Sequence, residues 1–92
     1  MENTNRAMSV WHELVEMGFA PFCPHLSHFL HAQKPLTHEQ WLEQDFVWVP
    51  LCNAVLRLPG ASPGADMEVD LAESCDIPVF HSIEELVAWA DL

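Results

Sequence analysis

The chain has 92 residues, half of them hydrophobic, with 3 basic and 14 acidic side chains and a net charge of −11. This length predicts one domain over residues 1–92. The acidity argues against a nucleic acid polymer or an anionic membrane surface, because both need clustered Lys and Arg. The N-terminus lacks the apolar core of a signal peptide, and no segment approaches the ~20 apolar residues of a membrane span. We therefore expect a cytoplasmic protein.

The cysteine pattern agrees with that compartment. Cys23, Cys52 and Cys75 are odd in number, lack close spacing and sit in or beside apolar runs. Disulfide frameworks and clustered metal sites need even or closely spaced cysteines. The pattern predicts reduced, buried thiols.

Helical and strand-like segments alternate along the chain. They predict, in order, a helix at residues 4–17, a strand at 19–23, a loop at 24–36, a helix at 37–49, a strand at 54–58, a helix at 63–74, a strand at 77–80 and a helix after 82. Alternation at these spacings is typical of parallel strands joined by helical crossovers. The sequence therefore predicts an α/β fold with three strands.

Several residues mark where the helices begin and end. Capping boxes at residues 37–40 and 82–85 begin the second and the last helix. Pro50 should end or kink the second helix, since it removes a donor and clashes with the preceding turn. Ser62 is a candidate N-cap, and Pro63 occupies the first helical position, where proline is favoured.

Two carboxylates fall on the apolar faces of predicted helices. In helical projection Glu68 lies between apolar residues, and so does Asp45. An inward carboxylate must be neutral, paired or hydrogen-bonded. Two such groups suit cleavage at an anomeric carbon, where one attacks and the other moves a proton. Alternatively, each caps a helix, pairs with Arg57 or Arg6, or reaches solvent at a helix edge.

The loop PGASPGA precedes the helix that carries Glu68. Free N–H groups and the helix dipole at such a terminus could hold a phosphate or a sugar hydroxyl. An ordinary turn capped by Ser62 is the alternative. The glycine spacing matches neither a Walker loop nor a dinucleotide fingerprint.

A histidine-rich run follows the first predicted strand. Cys23, His25, His28 and His31 are possible zinc ligands, although no second cluster completes a classical site. His25 could instead line a ligand cleft, or it could be a loop histidine satisfied by its neighbours.

Three stretches carry a resemblance to a known family: GFAPFCPHLSHF, WLEQDFVWVPLCNAVLRLPG and SPGADMEVDLAESCDIPVF. They cover most of residues 18–80. The most specific piece is S-x-G-x-x-x-E, formed by Ser62, Gly64 and Glu68 on the turn into a helix. In these stretches the chain resembles the nucleoside 2-deoxyribosyltransferase-like superfamily, and most closely its small bacterial and phage members. The resemblance implies a flavodoxin-like or Rossmann-like three-layer sandwich with a small parallel sheet.

The resemblance also implies a substrate and roles for the matching residues. In active members the motif glutamate attacks the anomeric carbon of a 2-deoxynucleoside or its 5′-monophosphate. Glu68 is then the nucleophile, Asp45 assists proton transfer or holds the sugar, and Ser62 with the Gly64 turn contacts the 5′ group. The implied partner is a small nucleoside or nucleotide, and no metal or organic cofactor is implied.

The family's first strand and its G-P loop have no counterpart at the start of this sequence. We expect that the true start lies upstream, that the strands at 19–23 and 54–58 pair directly, or that another chain of a homo-oligomer fills the gap. Asn53 also stands where an aspartate is common.

The leading hypothesis is a nucleoside or nucleotide 2-deoxyribosyltransferase-like protein that cleaves or transfers at the N-glycosidic bond. The alternatives are a non-catalytic α/β module for binding or assembly, and a structural remnant of a longer protein.

Overall fold

The computed structural model describes residues 2–24 and 27–91, without the side chains of residues 2–4 and 27–28. Met1–Thr37 and His38–Leu92 form two compact units. The elements in chain order are α1 (Glu2–Glu16), α2 (Ser27–Gln33), α3 (His38–Trp48), a 3-10 turn (Val49–Leu51), β1 (Val55–Leu56), α4 (Pro63–Ser74), β2 (Val79–Phe80) and α5 (Ile83–Ala90).

The predicted three-layer flavodoxin-like or Rossmann-like sandwich is wrong. The described part of the chain is mostly helical, and its one sheet is a parallel pair of two-residue strands. The predicted strand at 19–23 is not formed. Pro21 has no N–H for a sheet ladder, and its carbonyl accepts a hydrogen bond from Trp11 Nε1 at 3.1 Å. This segment is therefore used for local contacts to α1.

The first unit consists of α1, the segment after it and α2. Gly18 ends α1 at a φ of 97°. Its N–H donates to Val15 O at 3.0 Å and the Phe19 N–H donates to Leu14 O at 3.0 Å, which is the Schellman arrangement expected of a C′ glycine. The segment 24–36 was predicted to be a loop, but it contains α2. His31, within this helix, accepts a hydrogen bond at its Nδ1 from the Leu36 N–H at 3.1 Å.

In the second unit, proline ends α3 as predicted. The helix stops at Trp48, and Pro50 lies inside the 3-10 turn that follows. The Cys52 N–H donates to Val49 O at 3.1 Å, closing this turn before the chain enters β1. None of the three cysteines, which all lie in the described part of the chain, forms a disulfide. Cys23 and Cys52 are half-buried and Cys75 is exposed, so the prediction of buried thiols is wrong.

The parallel pairing of β1 with β2 is confirmed, with α4 as the crossover. The Val55 N–H donates to Pro78 O at 2.9 Å, and the Arg57 N–H donates to Phe80 O at 2.8 Å. The second bond fixes the backbone of Arg57 at the carboxyl end of β1. The loop toward α4 starts from that end.

Two serine caps begin α4 and α5, and both were predicted. Ser62 Oγ accepts the Ala65 N–H at 3.2 Å. Ser82 Oγ accepts the Glu85 N–H at 3.1 Å and donates to the Glu85 carboxylate at 3.2 Å. Such caps satisfy orphan donors of a first helical turn.

The core of this unit is small. Its buried hydrophobic residues come from the 3-10 turn, α4 and α5, and are Val49, Ala72 and Leu86. Ala72, which is fully buried, lies on the face of α4 predicted to be apolar. The aromatic rings of Phe80 and Trp89 add a tilted contact between β2 and α5, with centroids 5.5 Å apart.

Candidate functional site

The candidate site lies where α3 and α4, both in the second unit, pack together. The first turn of α4 approaches α3 through Gly64. A Cβ on Gly64 would meet Leu42 Cδ2 at 3.6 Å and His38 Cε1 at 3.7 Å. A methyl group at this position would thus make ordinary van der Waals contacts with α3.

The structure brings the two predicted carboxylates together across this contact. Asp45 on α3 and Glu68 on α4 are both half-buried. Burial raises the pKa of Glu68 from its ordinary 4.5 to about 7, and the charge of Asp45 adds to the increase. Helical projection had placed both on apolar faces, and the half-burial of both agrees with that prediction.

The pKa values of the two carboxyl groups respond to different influences. Burial also raises the pKa of Asp45. Glu68 additionally experiences the Asp45 charge, so the first proton taken up by the pair is assigned to Glu68. Near pH 7, Glu68 is close to its midpoint. A pair of this kind can accept or release a proton at neutral pH.

Neither carboxylate caps a helix or forms an ion pair within the described residues. The N-cap of α4 is Ser62, and the guanidinium of Arg57 pairs with Asp66 instead. No hydrogen bond joins Asp45 or Glu68 to another residue in the described part of the chain. The burial of these groups is therefore not offset by structural hydrogen bonds.

Arg57 is the cation of the site. Its guanidinium donates to Leu58 O, to Gly60 O at 2.8 Å and to the Asp66 carboxylate at 3.2 Å. The Arg57 side chain is 16% exposed, whereas that of Asp66 is 71% exposed. Its charge lowers the pKa of Glu68, against the larger effect of burial. Arg57 therefore moderates the site from a fixed position.

The N-terminus of α4 has few free donors. Pro63, at the first helical position, has no N–H. The Ala65 N–H donates to Ser62 Oγ, and the Asp66 N–H donates to Ser62 O at 3.0 Å. Within this first turn, the Gly64 N–H is the donor left without a hydrogen bond in the described structure.

The described part of the histidine-rich run lies in the first unit. His25 lies outside the described residues, and the side chain of His28 is not described. Cys23 and His31 belong to the first unit. Among the described residues, no group of three or more His, Cys, Asp and Glu side chains is arranged to hold a metal ion.

Sequence reasoning missed the pairing of Arg57 with Asp66. Asp66 lies in the first turn of α4, and its side chain is largely exposed. A usable signal was present. An arginine at a strand end, followed nine residues later by an acid in the first helical turn, is brought back to that acid by the intervening tight turn, in which Gly60 has a φ of 125°.

Fold and site together define a mainly helical domain with a half-buried carboxylate pair on two packed helices. The chain belongs to the family described as a domain of unknown function, DUF7768, which matches residues 1–82. Neither a curated protein nor a solved structure matches the chain. Over the described residues, none of the helices combines the length and apolar character needed to span a bilayer.

Proposed function

We propose that this protein cleaves or transfers at the N-glycosidic bond of a 2-deoxynucleoside or its nucleotide. The observation that carries the proposal is the half-buried Glu68, whose pKa is about 7, in the field of Asp45 and with no hydrogen bond to another described residue. Carboxyl pairs in such surroundings are characteristic of glycosyl-transfer sites. The sequence resemblance assigns the same two residues.

The proposed reaction is a double displacement. The ionised Glu68 carboxylate attacks C1′, the C1′–N bond breaks, and the base departs with the bonding electron pair and takes up a proton. A second base or a water molecule then attacks C1′, loses a proton, and releases Glu68 from the glycosyl ester. Asp45 relays a proton from solvent to the departing base in the first half of the reaction, and it accepts the proton of the incoming base or water in the second. Ser62 and the Gly64 turn hold the sugar at its 5′ end.

Base release tests the proposal. The protein is incubated with 2-deoxynucleosides and their 5′-monophosphates, and free base is measured by chromatography. We expect release by the wild type and a loss of at least a hundredfold in Glu68→Gln. Glu73→Gln is the matched control, since Glu73 is an exposed acid on the same helix. Equal inactivity of the wild type and Glu68→Gln contradicts the enzymatic proposal.

We also propose that this chemistry takes place in the cytoplasm. Nucleosides and nucleotides are small intracellular metabolites, and three cysteines without a disulfide bond agree with a reducing compartment. Localising a tagged chain by fractionation checks this assignment.

A second candidate function, assembly without catalysis, is favoured by one surface. Val47 and Trp48 lie in the last turn of α3 and Leu51 lies in the 3-10 turn that follows, and they are 63%, 47% and 72% exposed. Contiguous exposed apolar side chains are typical of interaction sites. If the protein is a homo-oligomer through this surface, Leu51→Ser lowers the mass measured by light scattering. An unchanged mass in Leu51→Ser argues against assembly at this surface.

A further inference from the structure

Resting on the proposed function, we propose that the substrate is a nucleoside with a free 5′-hydroxyl rather than a 5′-monophosphate, because Asp66 holds the Arg57 guanidinium beside an α4 N-terminus at which a single backbone donor remains. Three observations at the N-terminus of α4 support this choice: the hydrogen bonds of its first turn, the hydrogen bonds of Arg57, and the negative charges nearby.

The hydrogen bonds of the turn are unsuited to a phosphate. A phosphate at a helix N-terminus is held by several free backbone N–H groups. In α4, Pro63 has none, and the Ala65 and Asp66 N–H groups donate to Ser62. The Gly64 N–H remains as a single backbone donor, which matches one hydroxyl oxygen better than three phosphate oxygens.

The cation of the turn is also occupied. Arginine binds phosphate through a planar fork of donors. The Arg57 fork already donates to two backbone carbonyls of the preceding turn and to the Asp66 carboxylate. A phosphate would have to displace Asp66 or leave those carbonyls without their donor. Asp66 therefore acts as an internal anion where a substrate phosphate would otherwise bind.

The charge of the site opposes a dianion. Asp66 pairs with Arg57, and the charges of Asp45 and Arg57 both act on Glu68, so three acidic side chains share this part of the unit with Arg57. A 5′-phosphate adds up to two further negative charges to this group, whereas a 5′-hydroxyl adds none. The Ser62 hydroxyl accepts from Ala65 and keeps its own proton, so it can donate to the 5′ oxygen. A carboxylate of the site can accept a hydrogen bond from the substrate's 5′-hydroxyl.

The test compares kcat/KM for a 2′-deoxynucleoside and its 5′-monophosphate at pH 8. We expect the wild type to prefer the nucleoside at least tenfold. Asp66→Asn removes the anion that competes with a phosphate for Arg57 and should shift this ratio at least tenfold toward the monophosphate. Adding Arg57→Met to Asp66→Asn should remove that shift. Asp70→Asn is the matched control, because it removes the same charge from an exposed position one turn further along α4.

The outcomes separate this inference from the proposed function. A wild type that prefers the monophosphate, or an Asp66→Asn that behaves like Asp70→Asn, overturns the inference while base release still supports the enzyme. If the wild type releases base from neither compound, the proposed function fails. Calorimetric titration with the two compounds then decides the inference by affinity alone, and tighter binding of the nucleoside is required. Binding of neither compound overturns both.

Discussion

The Arg57 guanidinium lies 3.2 Å from the Asp66 carboxylate and, from that position, lowers the pKa of Glu68. Arg57 thus forms an ion pair with the exposed Asp66 and also acts electrostatically on the half-buried Glu68. The field at Glu68 is set by Asp45 and Arg57, which act in opposite directions. This arrangement can be dissected by removing one charge at a time.

Removing the Asp45 charge should lower the pKa of Glu68, and removing the Arg57 charge should raise it. Asp45→Asn eliminates the repulsion that disfavours ionised Glu68, while Arg57→Met eliminates an attraction. Carbon-detected NMR titration of the Glu68 carboxyl measures both shifts. Glu73→Gln should leave the titration unchanged, and shifts of the same sign in Asp45→Asn and Arg57→Met contradict the arrangement.

Glu68→Gln should stabilise the protein at pH 8 and not at pH 4. The folded-state pKa of about 7 exceeds the ordinary 4.5, so the folded state binds more protons and its stability decreases as pH rises between these values. The expected gain at pH 8 is about 1–2 kcal/mol, less than the shift alone implies because solvent screens this half-exposed carboxylate. Urea unfolding at both pH values measures it. A variant that is less stable than wild type at pH 8 would show that Glu68 has a structural partner.

If Glu68 is the nucleophile, kcat/KM should increase with pH up to about 7 and then level off. The nucleophile must be ionised, and kcat/KM reports the free enzyme. Below the midpoint the increase approaches tenfold per pH unit. In Asp45→Asn the midpoint should move to lower pH. A decrease through pH 7 instead assigns Glu68 as the general acid and exchanges the roles of the two carboxylates.

Ser62→Ala and Ser82→Ala should destabilise the protein alike but differ in substrate binding. Each removes a serine N-cap with nearly the same geometry, at a cost of about 1 kcal/mol. If Ser62 contacts the 5′ group, its replacement also raises KM, whereas Ser82→Ala leaves KM unchanged. Thermal unfolding and steady-state kinetics on both variants check this. Equal KM values restrict Ser62 to its capping role.

Local signals in the sequence predicted several boundaries correctly. Gly18 ends α1, Pro50 ends α3, and Ser62 with Pro63 begins α4. Each of these residues acts through its own φ, its missing N–H or a hydroxyl that bonds within three residues. Such effects need no distant partner, so they can be inferred without knowing the fold.

The wrong predictions concern segments whose secondary structure depends on partners distant in the sequence. A five-residue apolar run such as 19–23 suits a strand only if another strand supplies its ladder, and here the Pro21 carbonyl bonds Trp11 instead. The helix α2 went unpredicted because its histidines and exposed Phe29 and Leu30 show no clear apolar face.

The candidate site was predicted in part. Asp45 and Glu68 were chosen because helical projection put them among apolar residues, which depends on one helix at a time. Their proximity depends on how α3 packs on α4, and the sequence could not supply that. The Arg57–Asp66 pair likewise depends on the path of the turn at Gly60.

The size of the side chain at position 64 controls the spacing of Asp45 and Glu68. The missing side chain of Gly64 lets α4 rest on α3, with space for one methyl group at 3.6 Å from Leu42. Gly64→Ala should therefore leave the helices in place, and the pKa of Glu68 with them. A branched side chain such as that in Gly64→Leu would push α4 away from α3 and separate Asp45 from Glu68. The pKa of Glu68 would then decrease. The spacing of the two carboxylates is thus adjustable from a position that carries no functional group.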